Sequence, residues 1–207
     1  TERVSLGVGG IQTARTDTNP PATYPDIGID DSGTFVTFAS DATNIIDLHL
    51  SDTNNVTDVF VVDRSLPASN PTRTRKISFG SVAGQPQGNG GSFNPTISGN
   101  GQFIVYRSVA NSIVNGDGNS QPDIFIYDRI VNSNARVNLS TAGAEANNED
   151  GNSDFSVSDD GRYVAFESLA TNLIASDTNA KRDIFIRDRS GGGSTCRLSL
   201  APGGLQT

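Results

Sequence analysis

The feature that most constrains this chain is an internal repeat, because the same short patterns recur three times along its 207 residues. Each copy has a turn that ends in glycine, followed by an aromatic residue and alternating apolar residues. These stretches are Asp30–Phe38, Ser98–Tyr106 and Ser158–Phe166. Glycine adopts positive φ at the end of a turn without steric cost, so the pattern is typical of a β-hairpin. The fold must therefore contain three similar units.

Two further patterns recur in every copy. An apolar run that begins with aspartate and ends in Asp-Arg occupies Asp58–Arg64, Asp123–Arg129 and Asp183–Arg189. A basic residue followed by alternating residues occupies Arg75–Phe79, Arg136–Ser140 and Arg197–Leu200. A short apolar segment precedes each turn, around Ile27–Ile29, Pro95–Ser98 and Phe155–Ser158. Each copy therefore has four strand-like segments and predicts a four-stranded antiparallel unit.

A repeat of four strands and about 60 residues favours a propeller blade over a solenoid. We predict an all-β, β-propeller-like array of three four-stranded antiparallel blades plus one extra outer strand, open or closed by association. The units span about 20–80, 90–141 and 150–201 within a single array over 1–207, and the extra strand spans 2–7. Hydrophobic residues make up only 34% of the chain, but they cluster in the predicted strands. No segment shows a sustained helical period.

The run Ser158–Phe166 and the later run from Ser176 to Arg189 resemble the WD40-like or TolB-like β-propeller repeat of bacterial secreted proteins. The resemblance covers nearly the whole chain, at three sites. It implies a propeller fold and an extracellular or periplasmic location. Propellers of this type have binding, scaffolding and accessory roles, so the resemblance specifies the fold better than the function.

The two ends of the chain are similar to each other. Residues 1–13 and 195–207 are identical at eight of thirteen positions. Closed propellers have about four to eight blades, so three blades do not close alone. Three explanations stay open: a fragment of a longer array, self-association into a two-chain ring or a strand-addition filament, or an open array with protected edges.

The formal net charge of −8 excludes the basic footprint that nucleic acids and anionic membranes require. No apolar run approaches the roughly 20 residues of a membrane-spanning helix. We therefore expect neither a nucleic acid nor a membrane span. The expected partners are a second copy of the chain, in an oligomer or filament, or other domains of a longer chain.

An Asp-x-Asn-x-x-x-Asp motif precedes the third strand of every unit. Carboxylate and amide oxygens at this spacing can wrap a hard cation such as Ca²⁺. The alternative is a structural Asx-turn, in which the same side chains bond to nearby backbone N–H groups. The candidate metal ligands are Asp52, Asn54 and Asp58; Asp117, Asn119 and Asp123; and Asp177, Asn179 and Asp183.

No residue pattern predicts catalysis. His49 is the only histidine and lies in an inserted loop, and we expect Cys196 to be a buried small residue or an inert thiol. The acid pairs Asp30-Asp31 and Asp159-Asp160 lie in turns, where we expect them to face solvent with nothing to raise a pKa. The Asp-Arg pairs that end each third strand are interpreted as strand-end ion pairs and turn bonds. Glycosylation sequons occur at Asn55 and Asn138.

We therefore predict a non-enzymatic extracellular module with a structural or protein-interaction role, with calcium stabilisation and self-assembly as open possibilities. An accessory propeller of a larger secreted peptidase or glycan-active enzyme is the alternative. A lectin-like binder is less favoured, because the chain has no tryptophan and only four tyrosines for stacking on sugars.

Overall fold

The computed structural model describes residues 2, 4–5, 27–45, 52–81, 87–148, 154–175, 177–202 and 204–206. Every regular element in these ranges is a β-strand, which confirms the predicted all-β class. No helix of these residues is long and apolar enough to cross a membrane. His49 lies outside the described residues.

The strands form three four-stranded antiparallel sheets, as predicted. In each sheet the strands follow one another in chain order, so every neighbour in the sequence is a neighbour in space. Blade 1 contains β1 (Ile27–Ile29), β2 (Phe35–Ser40), β3 (Asp58–Asp63) and β4 (Thr74–Lys76). Blade 2 contains β5 (Ser92–Ile97), β6 (Phe103–Ser108), β7 (Asp123–Asp128) and β8 (Ser133–Arg136). Blade 3 contains β9 (Phe155–Val157), β10 (Tyr163–Ser168), β11 (Asp183–Asp188) and β12 (Ser194–Arg197).

The two ends differ in detail from the prediction. After β12 the chain forms a small hairpin of β13 (Leu200–Ala201) and β14 (Leu205–Gln206), which the sequence patterns did not indicate. Half of the predicted extra strand at 2–7 lies outside the described residues. Val4, which is described, packs against the apolar cluster of blade 1.

The turn between the first and second strands is built by the same contact in every blade. A side-chain oxygen of the residue before the turn accepts a hydrogen bond from the backbone N–H of the residue five positions later. The acceptors are Asp30, Ser98 and Ser158, with donor–acceptor distances of 2.7, 3.0 and 2.9 Å. The prediction that Asp30 faces solvent is therefore wrong: it is buried, because its carboxylate anchors the turn.

The blades pack face to face, and the apolar core lies between them. One cluster joins blades 1 and 2, and it includes Val59, Val61, Ile104 and Phe125. A second cluster joins blades 2 and 3, and it includes Val105, Ile124, Ile126 and Phe166. A single blade leaves both of its faces apolar, so each blade depends on a neighbour for burial.

Candidate binding faces and buried ion clusters

Each Asp-x-Asn-x-x-x-Asp motif lies in the loop before the third strand, and its last aspartate is the first residue of that strand. The structure places both aspartates of a motif next to a basic side chain at the end of the fourth strand. In blade 1, a nitrogen of Lys76 lies 3.7 Å from an oxygen of Asp52 and 3.0 Å from one of Asp58. In blade 2, Arg136 lies 3.1 Å from Asp117 and 3.2 Å from Asp123. In blade 3, Arg197 lies 3.2 Å from Asp177 and 3.1 Å from Asp183. We call these three groups the ion clusters.

The ion clusters are closed to solvent. The three basic side chains and their six aspartate partners are each at most 6% exposed. The cluster of blade 2 also contains Glu145, which contacts Arg136. Breaking a buried pair by removing one partner leaves an uncompensated charge, so these clusters fix the register of the fourth strand on the third.

Burial has a clear effect on the aspartates. Loss of solvation raises the pKa of Asp58, Asp117 and Asp177 above the ordinary value, despite the nearby basic groups. It raises the pKa of Asp123 to about 7, although Arg136 and the Asn138 amide favour the charged form. Burial thus favours the protonated, neutral form of these carboxyl groups.

The asparagines of the motifs form turns. The Oδ1 atoms of Asn54, Asn119 and Asn179 accept hydrogen bonds from the backbone N–H two residues later, at 3.2, 2.9 and 3.0 Å. Two of these side chains also hold the chain segment that leads to the following blade, since Asn54 donates to the Gly88 carbonyl and Asn119 to the Ala146 carbonyl. These contacts have the geometry of the Asx-turn alternative.

Calcium at these positions stays a prediction. Within the described residues, no group of three or more His, Cys, Asp or Glu side chains has the arrangement of a metal site. Both carboxylate oxygens of Asp52 are nevertheless buried and accept no hydrogen bond. The basic residue of each cluster was visible in the sequence, but its position between two aspartates follows from strand register.

The arginine of each Asp-Arg pair has a role that the sequence analysis missed. Arg64, Arg129 and Arg189 each donate to the carbonyl of the turn glycine in their own blade, with 2.8 Å between Arg129 and Gly101. The guanidinium groups of blades 2 and 3 also stack on an aromatic ring of the preceding blade. Arg129 Cζ lies 3.4 Å from the Phe35 ring centroid, and Arg189 Cζ lies 5.8 Å from that of Phe103.

The turn glycine completes this contact. A Cβ on Gly101 would lie 2.5 Å from a ring carbon of Phe35, and one on Gly161 would lie 2.5 Å from ring carbons of Phe103. Only a residue without a side chain fits so close to the ring. We call this unit the aromatic socket: the first residue of a second strand, covered by the turn glycine and the arginine of the next blade.

Among the described residues, the two end blades each have one face that no other blade covers. The leading face of blade 1 carries Ile27, Ile29 and Arg64, and the trailing face of blade 3 carries Tyr163, Ile184, Ile186 and Leu198. Towards the outer edges of these faces, positions that are buried inside the array are exposed, whereas Phe38, Phe60 and Val62 at the centre of the leading face are buried. Ile97 is 9% exposed whereas the matching Ile29 is 61% exposed, and Val137 is 0% exposed whereas the matching Leu198 is 54% exposed.

Cys196 is exposed, so the prediction that it is a buried small residue is wrong. It lies on β12 opposite Ile186, at the outer part of the trailing face. Of the two sequons, Asn55 is exposed, whereas Asn138 is buried and donates to Asp123 at 2.7 Å. A glycan on Asn138 is therefore incompatible with this fold.

No model of a known protein family and no curated protein matches the chain. Solved structures that are similar to it include TolB from Acinetobacter baumannii, with 15% identity and a TM-score of 0.47, covering 87% of this chain and 33% of that one. The putative TolB from Agrobacterium tumefaciens has 17% identity and a TM-score of 0.47, covering 87% and 50%. The tricorn protease has 15% identity and a TM-score of 0.43, covering 83% and 14%. The chain thus spans a third to a half of the length of the TolB structures.

Proposed function

We propose that the chain is a non-enzymatic β-propeller module that acts outside the cytoplasm, in the periplasm or beyond the cell, as a structural and protein-interaction element. Its binding surfaces are the leading and trailing faces, and its ligand is another blade of the same kind. The observation that carries this proposal is that Ile97 and Val137, which are buried between blades inside the array, have exposed counterparts at the two ends, Ile29 and Leu198.

The absence of a catalytic role is supported by the ion clusters. A catalytic acid or base needs a shifted pKa and access to a substrate. Asp123 has the shifted pKa, but its side chain is buried, forms an ion pair with Arg136 and accepts a hydrogen bond from Asn138. A shifted pKa in a sealed cluster favours a structural role.

The role of the end faces is tested by a tandem fusion of two chains through a flexible Gly/Ser linker. The linker raises the effective concentration of the second copy, so docking needs little intrinsic affinity. The trailing face of the first copy should then dock on the leading face of the second, and the fusion should melt at a higher temperature than the single chain.

The control is the same fusion with Leu198→Asp in the first copy, which should lose the gain in melting temperature. A second control, Ile130→Asp, changes an exposed residue outside both faces and should keep it. A fusion that melts with the single chain would contradict the proposed role of the end faces.

Calcium stabilisation is a separate part of the proposal. The buried Asp52 oxygens that accept no hydrogen bond support it, and the cluster of blade 1 has the longest basic contact, 3.7 Å from Lys76 to Asp52. Calorimetric titration of Ca²⁺ into chelator-treated protein should give a binding heat that Asp52→Asn removes. No heat in the unchanged chain would leave Lys76 as the counter-ion of blade 1 and overturn this part.

The location outside the cytoplasm is tested by fusing the natural gene to a reporter that folds only after export. Activity of the reporter supports the location, and an inactive reporter made in normal amounts contradicts it.

A further inference from the structure

Asparagine is followed by glycine at three places in the chain, all of them in blade 2 or in the segment that leads into it. The pairs are Asn89-Gly90, Asn100-Gly101 and Asn115-Gly116. Glycine has no side chain to shield its backbone nitrogen, so this nitrogen can attack the side-chain amide carbon of the preceding asparagine. The three pairs share this chemistry, and the structure decides which of them can react.

The Asn89-Gly90 pair is held in place by its neighbours. The Asn89 amide donates to Oδ1 of Asn111 at 2.6 Å, and its own Oδ1 accepts from the Asn111 N–H at 3.0 Å. A Cβ on Gly90 would lie 3.0 Å from backbone atoms of Val109 and Ala110, so the Gly90 backbone is closely packed. Reaction at this pair therefore needs local opening of the structure.

The Asn100-Gly101 pair is held at both reacting groups. Oδ1 of Asn100 accepts hydrogen bonds from the Ser98 hydroxyl at 2.7 Å and from the Gln102 N–H at 2.8 Å. The Asn100 side-chain amide donates to the Asp159 carbonyl. The attacking group, the Gly101 N–H, donates to the Ser98 carbonyl at 2.9 Å. This pair also needs local opening before it can react.

The Asn115-Gly116 pair lies in the loop between β6 and β7, where both residues are exposed. Among the residues that the structure describes, neither the Asn115 amide nor the Gly116 N–H has a hydrogen-bond partner. A Cβ on Gly116 would meet no atom within 4 Å. Nothing in the described structure therefore keeps the two reacting groups apart.

We propose that Asn115 is a site of spontaneous deamidation in the folded protein. The Gly116 backbone nitrogen attacks Cγ of Asn115 and forms a new C–N bond, while the C–N bond of the side-chain amide breaks. Ammonia leaves with the proton of the Gly116 N–H, and a cyclic succinimide remains. Water then adds to either carbonyl carbon of the succinimide and opens the ring, which gives aspartate or isoaspartate. Water is the only co-reactant.

The position of Asn115 connects this reaction to the ion cluster of blade 2. Asn115 lies two residues before Asp117, whose side chain is 2% exposed and 3.1 Å from Arg136. Either product adds a negative charge close to a cluster that already contains three carboxyl groups and one arginine. The matching residues before Asp52 and Asp177 are Leu50-Ser51 and Ala175-Ser176, so the reaction is specific to blade 2.

Peptide mapping of the chain after ageing in mildly alkaline buffer, with and without urea, tests the proposal. Trypsin cleaves after Lys76, Arg107 and Arg129, so Asn115 lies in a different peptide from Asn89 and Asn100. In the folded chain, peptide 108–129 should gain the mass of an amide-to-acid conversion, and fragmentation should assign the gain to Asn115. Its rate should exceed that of either other pair by about tenfold or more, because those pairs react only after hydrogen bonds open.

Urea and one variant are the controls. In urea the three pairs should react at similar rates, because each is then an unfolded Asn-Gly sequence. Asn115→Ala gives blade 2 the residue that blade 3 has at this position, Ala175, and should remove the fast reaction while peptide 77–107 behaves as before. An isoaspartate-specific methyltransferase should label the aged unchanged chain far more than the aged variant. Circular dichroism checks that the variant folds.

An Asn115 amide that stays intact in the folded chain would overturn the proposal, and its conversion in urea would then show that the fold protects it. Equal rates at the three pairs in the folded chain would also overturn it, because the hydrogen bonds of Asn89 and Asn100 would then make no difference.

Discussion

The contact between blades 2 and 3 and the trailing face of blade 3 are built from matching residues in different surroundings. Ile124, Ile126 and Val137 are buried in the contact, whereas the matching residues of blade 3 are partly or largely exposed. The alternation of each strand thus sets which side chains share a face, and a neighbouring blade decides whether that face is buried. Each blade of this chain contributes one side of an interface, and its stability depends on the neighbour that buries its face.

The aromatic residue at the start of the second strand shows the same difference between covered and exposed blades. It is phenylalanine in the two covered blades and tyrosine in the exposed blade, where Arg162 replaces the arginine of a following blade. Substitutions at matched positions should therefore have unequal effects.

The largest difference is expected at the outer strands. Val137→Asp places a charge in a buried apolar cluster and should reduce the free energy of unfolding by ~4 kcal/mol or more, or prevent folding. Leu198→Asp makes the same change at an exposed position and should stay within ~0.5 kcal/mol at monomeric concentrations. Urea unfolding followed by circular dichroism measures both. Equal losses would contradict the assignment of the two faces.

Removing a basic side chain should reduce stability more in a buried ion cluster than in an exposed ion pair. Arg136→Met leaves Asp117, Asp123 and Glu145 without their basic partner and should reduce the free energy of unfolding by ~3–5 kcal/mol. Arg162→Met breaks an exposed pair with Asp188 on blade 3 and should leave the free energy of unfolding nearly unchanged. Chemical unfolding of both variants is the check, and a harmless Arg136→Met would mean that the cluster does not stabilise blade 2.

Alanine substitutions at two turn glycines separate the contribution of packing between blades from that of backbone strain. Gly33 and Gly161 both have positive φ, at 69° and 64°, so alanine strains the backbone at both sites by ~1 kcal/mol. At Gly161 the added methyl also meets the Phe103 ring, which should add ~1–3 kcal/mol of overpacking. Thermal unfolding of Gly33→Ala and Gly161→Ala gives the difference. Equal destabilisation would count against the socket.

The ion cluster of blade 2 should also make the stability depend on pH. Burial raises the pKa of Asp123 from the ordinary 3.8 to about 7, so the folded chain binds this proton more strongly than the unfolded chain does. The stability that this group contributes is complete below about pH 4 and is lost as the pH rises through about 7. Asp123→Asn removes the titration. The unfolding free energy of the unchanged chain minus that of the variant should therefore fall over this range, and a constant difference would contradict the raised pKa.

The fold could be predicted because each blade carries its own local sequence patterns. The turn ending at Gly161, the alternation after Tyr163 and the run from Asp183 act over a few residues, where local geometry decides the structure. The final hairpin was missed because β13 and β14 have only two residues each, too few to show alternation. Asp30 was misjudged because its burial depends on a hydrogen bond to the Phe35 N–H, which no charge pattern shows.

The candidate site could be predicted only in part. The motif aspartates were identified from their spacing, but the basic residue of each cluster comes from another strand, and strand register decides which residue faces the pair. The sockets were missed because Phe35 and Arg129 lie in different blades. The threefold recurrence of turn glycine, aromatic residue and Asp-Arg pair was the available signal. The structural role of this recurrence depends on how one blade packs on the next, which the sequence does not show.

Hydrogen exchange of the unchanged chain at low and high concentration tests the central claim most directly, that the two end faces are the separated halves of an internal contact. We predict that β1 and β2 at the leading face and β10 and β11 at the trailing face gain protection together, with the same concentration dependence. Strands β6 and β7, covered at every concentration, should not change. Protection gained at only one end, or at neither, would contradict the claim.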